Sequence, residues 1–88
     1  MLDRELFEAM QVVTGDDQCK GIFNILTEEG AASGWAVAKR LGREPEKVEQ
    51  GLAKLRESGV VEGTGSGLGG FYSLTGLGFK LRSQLVGT

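Results

Sequence analysis

The stretch VAKRLGREPEKVEQGLAKLRESGVVE, residues 37–62, decides how this chain folds. Its apolar residues form two helical sets separated by a break at Leu41-Gly42-Arg43. Val37, Ala38 and Leu41 supply the apolar side of a first helix. Val48, Leu52 and Leu55 recur at i, i+4 and i+7, the spacing of one buried helical stripe. Pro45 suits the first turn of that second helix, because the N–H it lacks would be unpaired there anyway. Gly59 is a helix stop and Val60-Val61 opens an extended segment. The stretch therefore reads as helix, tight turn, helix and the beginning of a hairpin.

Upstream, residues 3–13 are expected to form a helix with Leu2, Leu6, Met10 and Val13 on its apolar side. Thr14-Gly15 breaks it, and Asp16 or Asp17 caps a second helix running to about Glu29. In that helix Cys19, Ile22, Phe23 and Leu26 point inward, with Ile25 beside them. Glu28 and Glu29 occupy the last turn, where the helix dipole disfavours carboxylates, so another interaction must fix them. Ala31 to Gly34 is a small-residue link with room for a very short strand, and Ser33 is the natural N-cap of the next helix. Trp35, the only tryptophan, is expected to be a core or half-buried anchor rather than an exposed contact for a partner or a base.

Downstream, Gly51 weakens its helix by roughly 1 kcal/mol relative to alanine, and close approach of a neighbouring helix is the expected compensation. GTGSGLGG, residues 63–70, reads as a mobile loop. Phe71 to Leu74 forms the returning strand, with Tyr72 and Leu74 on one face. Thr75 caps a last helix carrying Leu77, Leu81 and Leu85, with Phe79 on its flank.

At 88 residues the chain supports one core and one domain, residues 1–88. No apolar run reaches the length of a membrane span, and residues 1–10 alternate charge with hydrophobe, unlike a signal peptide. No membrane association is expected, and a cytoplasmic location is the default. Cys19 stands alone and histidine is absent, which argues against an internal disulfide and a zinc site, and no metal or cofactor is expected. The glycine-rich loop lacks the lysine and hydroxyl residue that open a helix in a phosphate-binding loop. With no histidine base and no distinct carboxylate pair, no enzymatic activity is expected.

The net charge of −2 conceals an asymmetry. Residues 1–30 hold two basic and seven acidic groups, whereas residues 39–56 hold six basic and three acidic. A phosphate backbone is attracted to the second segment and repelled from the first.

From about Lys20 to Leu85 the chain resembles the winged-helix DNA-binding superfamily, and most of all small repressors of the MarR and ArsR kinds. Ile22, Ile25 and Leu26, then VAKRLG, Val48, Leu52, Leu55, SGVVE and the tail FYSLTGLG carry the resemblance. It implies an α+β, mainly helical fold. The helix-turn-helix would span about 34–58 and a two-stranded β wing about 60–74, with additional N- and C-terminal helices. It also implies a transcriptional regulator that binds duplex DNA through the helix at 45–58, as a homodimer joined by its terminal helices. Glu46, Lys47, Glu49 and Gln50, with Lys54 beside them, would then face the major groove, and Lys39, Arg40 and Arg43 would meet phosphates. Gln50 suits adenine and a glutamate suits the cytosine amino group.

The chain departs from the family pattern in two places. Small hydroxyl residues are usual where Glu44, Glu46 and Glu49 stand, and the loop at 63–70 carries no charge where a wing commonly offers Arg or Lys. Carboxylates in a helix's first turn also stabilise the helix itself, by roughly 0.3–1 kcal/mol. The alternative is a module of the same fold that binds another protein and no DNA.

Overall fold

The computed structural model describes residues 4–86, with side chains through Leu85. Leu2, Asp3 and Gly87-Thr88, and the side chain of Val86, lie outside the described residues. The elements run α1 (Arg4–Gly15), α2 (Asp17–Glu29), β1 (Ala31–Ser33), α3 (Gly34–Leu41), α4 (Pro45–Glu57), β2 (Val61–Thr64), β3 (Phe71–Leu74) and α5 (Gly76–Val86). The architecture is mainly helical α+β, and no described helix is long and apolar enough to cross a membrane.

The helix ends follow local chemistry. Asp16 Oδ1 accepts from the N–H groups of Gln18 and Cys19 at 2.8 and 3.3 Å, satisfying donors that α2 leaves open. Ser33 Oγ accepts from Ala36 N–H at 3.1 Å to start α3. Thr75 Oγ1 accepts from Gly78 N–H at 3.1 Å to start α5. Gly42 closes α3 in the left-handed region at φ 64°, its N–H donating to Ala38 O.

The sheet has three antiparallel strands in the order β1-β3-β2, where the sequence predicts a two-stranded wing. Ala31, Ala32 and Ser33 pair with Ser73, Tyr72 and Phe71, so the short link is a strand that covers the second edge of β3. Gly30, at φ 84°, ends α2 and turns the chain into that register.

One core holds the elements together. It contains Leu6, Ala9 and Val13 of α1, Cys19, Ile22, Phe23 and Leu26 of α2, and Val48, Leu52 and Leu55 of α4. Tyr72 and Leu74 enter it from β3 and Leu81 from α5. Gly51 is buried where α4 meets α2, and a Cβ there would fall 2.6 Å from Ile22 Cδ1. The expected close approach is thus present, and Cys19 Sγ donates to Gly51 O at 3.7 Å across it.

Two further expectations fail. Trp35 is 59% exposed, because Gly34, Val37 and Ala38 fill the inward side of α3 and leave no room for an indole. The loop at 63–70 is tied down rather than free-standing. It holds a 3-10 turn at Gly67–Gly69, and Leu68 is buried against α3, where its backbone meets Gly34 directly. Tyr72 Oη donates to Gly67 O at 2.7 Å, and Arg56 donates to the carbonyls of Gly65 and Gly63 at 2.9 and 3.3 Å.

Candidate nucleic-acid interface

The seven residues singled out in the sequence separate into three groups. Glu46 and Gln50 share the outer face of α4, where with Glu49 and Ala53 they line one shallow depression. This is the face opposite the buried stripe Val48-Leu52-Leu55, so the stripe that fixes the helix also fixes what it presents. The Glu49 carboxylate additionally lies against Gly67 of the docked loop, since a Cβ at Gly67 would fall 3.3 Å from Glu49 Oε1. Glu44 occupies the N-cap position of α4 but makes no side-chain cap hydrogen bond.

Lys39, Arg43 and Lys47 form the second group. All three are exposed around the α3–α4 turn, and none is in an ion pair with a carboxylate among the described residues. The turn is short because Gly42 reverses the chain in one residue and Pro45 restarts it, which keeps these cations close in the chain.

The third group is Arg40 and Lys54, whose charges are compensated internally by the two ends of α2. Arg40 bridges Glu28 and Glu29, and this is the interaction that holds those acids in an unfavourable last turn. Lys54 Nζ meets Asp16 Oδ2 at 2.8 Å. The hydrogen bond from Lys54, with those from Cys19 and Gln18, holds the Asp16 carboxyl below its ordinary pKa against the opposing pull of desolvation. The same contact raises the Lys54 ammonium. Burial pushes the Cys19 thiol up, which leaves it a small core residue rather than a nucleophile.

Two features of this surface were not singled out as site residues. Arg56 restrains the loop through backbone carbonyls, so the uncharged loop has a guanidinium at its base. Phe71, 54% exposed on the outer face of the sheet, walls a groove with Ala31, Ala32, Ala36 and Arg40. The alternation in FYSL already places Phe71 opposite Tyr72, and that is the signal for it. Among the described residues no cluster of metal-ligating side chains occurs.

Comparison with protein-family models, curated proteins and solved structures finds no match for this chain.

Proposed function

We propose that this chain is a winged helix-turn-helix module that binds duplex DNA, with α4 entering the major groove. The observation that carries the reading is the α3-turn-α4 unit with Lys39, Arg43 and Lys47 exposed around its turn and in no ion pair among the described residues. A hairpin follows that unit and joins a short strand lying ahead of it, in the order β1-β3-β2. In this arrangement the three cations meet phosphates and fix the register. Gln50 and Glu46 lie on the face offered to base edges. Glu46 and Glu49 oppose the phosphate field, so binding relies on the turn for attraction and on the α4 face for discrimination.

The regulator acts as a homodimer in this reading. Leu6, Val13 and Leu81 are consumed by the core, but Phe7 of α1 and Phe79 and Leu85 of α5 remain 47%, 49% and 39% exposed. A two-fold pairing through these helices places two α4 helices about one DNA turn apart, roughly 34–36 Å. Sedimentation should show a dimer at micromolar concentration, and Phe79→Asp should return it to monomer. A wild-type monomer at high concentration would remove the pairing.

A second reading, a protein-binding module with no DNA affinity, is favoured by the Phe71-walled groove beside the edge strand β1 and by the uncharged loop. Binding to random-sequence duplex at low salt separates the two. Retention of duplex supports DNA binding, and its absence from a folded protein supports the protein-binding module.

A further inference from the structure

The two exposed edges of α3 have different fates. Ala36 and Arg40, one turn apart, face the Phe71-walled groove, and Arg40 is held by Glu28 and Glu29. Trp35 and Lys39, also one turn apart, form the other edge, and there no carboxylate pairs with the ammonium among the described residues. Arg43, also without such a pair, follows in the turn that continues from this helix. The chain thus leaves its one tryptophan 59% exposed one turn from Lys39, with Arg43 in the turn beyond, and neither cation is in an ion pair among the described residues. A flat apolar ring flanked by positive charge complements a ligand with an open π-face and an attached anion. Paired bases in a duplex keep their faces stacked on one another, so the ligand that fits is an unpaired nucleotide.

We propose that Trp35 stacks on an unpaired base of DNA next to the duplex held by α4, while Lys39 and Arg43 take the adjoining phosphates. The proposal rests on the DNA-binding reading and adds to it a preference for duplex with a single-stranded extension. Trp35 is a stacking platform here, distinct from the base-edge contacts of Gln50 and Glu46. Because Trp35 is exposed and lies outside the core cluster, its replacement is expected to leave the fold in place.

The sole tryptophan makes the test direct, since all indole emission comes from this position. A blunt duplex and the same duplex carrying a short thymidine overhang are titrated against the full chain at low salt, reading both emission and affinity. The overhang is expected to quench Trp35 and to bind about 5- to 150-fold more tightly than the blunt duplex. Trp35→Ala should abolish that preference and Trp35→Phe should retain most of it. Lys39→Gln should lower the salt slope by about one. Equal affinity and equal emission for the two duplexes would overturn the stacking proposal while leaving duplex binding intact. Quenching by the overhang with no affinity for blunt duplex would uphold stacking and remove the duplex reading. No binding of either would remove both.

Discussion

Replacing Gly34 by alanine tests how the glycine-rich loop is held. Gly34 is the first residue of α3, and its N–H donates to Gly70 O at 3.0 Å. A Cβ there would lie 2.5 Å from Leu68 Cα and 2.8 Å from Leu68 O. These are backbone atoms, so no rotamer change relieves the clash and the loop itself must retreat by about 1 Å or more to reach ordinary contact. Retreat uncovers Leu68, which is only 8% exposed, and loosens the hydrogen bond from Tyr72 to Gly67. Burial of a leucine contributes about 1.5–3 kcal/mol and a neutral hydrogen bond about 0.5–1.5 kcal/mol. Alanine returns at most about 1 kcal/mol through helix propensity. Partial rather than complete loss of the contacts gives a net destabilisation of about 1–3 kcal/mol. Gly15→Ala is the control: it also lies in a helix, its φ is not positive, and nothing stands within 4 Å of its Cβ position. It should be neutral or stabilising by up to about 1 kcal/mol. Urea unfolding of both variants, with circular dichroism as the probe, gives the comparison. A Gly34→Ala protein as stable as wild type would refute the docked loop.

Other expectations follow from the same contacts. Gly51→Ala meets the flexible end of Ile22 rather than backbone, so it should destabilise by about 1 kcal/mol or less, and Ile22→Val in the same chain should recover part of that in a double-mutant cycle. Asp16→Ala should cost about 0.5–2 kcal/mol through loss of the α2 cap. Because the folded Asp16 carboxyl titrates below its unfolded value, its contribution is present above the ordinary aspartate range. It fades as pH falls through the lower folded value, and acid titration of stability should show this loss in wild type and not in Asp16→Asn. Arg40→Ala should change stability by no more than about 1 kcal/mol, since its ion pairs are solvent-exposed, as thermal melts at two salt concentrations can show.

Periodicity made most of the core legible in the sequence. Val48, Leu52 and Leu55 had to share a side, and Cys19, Ile22, Phe23 and Leu26 had to face them, because a helix offers no other arrangement that buries them together. The caps at Asp16, Ser33 and Thr75 were legible because their chemistry is local. The misplaced Glu28 and Glu29 pointed to a missing partner, but the identity of Arg40, eleven and twelve residues away, depended on how α3 packs. Lys54 and Asp16, separated by 38 residues, were equally out of reach. Trp35 misled because its bulk suggests burial, whereas its place between Gly34 and Val37 on the helix turns it outward. The loop misled because five glycines suggest freedom, while Leu68 is buried in the groove that Gly34 leaves open and Tyr72 and Arg56 hold the loop's carbonyls. The strand at Ala31–Ser33 was too short for alternation to declare and takes its state from β3.

Salt dependence of duplex binding addresses the central claim most directly. With Lys39, Arg43 and Lys47 each meeting a phosphate, the logarithm of the association constant should fall against the logarithm of salt with a slope of about −2.7 per subunit, and about −5.4 for a dimer. Arg43→Ala should reduce that slope by about 0.9 per subunit, whereas Arg40→Ala, whose charge Glu28 and Glu29 already neutralise, should leave it nearly unchanged. A folded protein that fails to bind duplex at low salt, or binds it with no dependence on salt, would contradict the account.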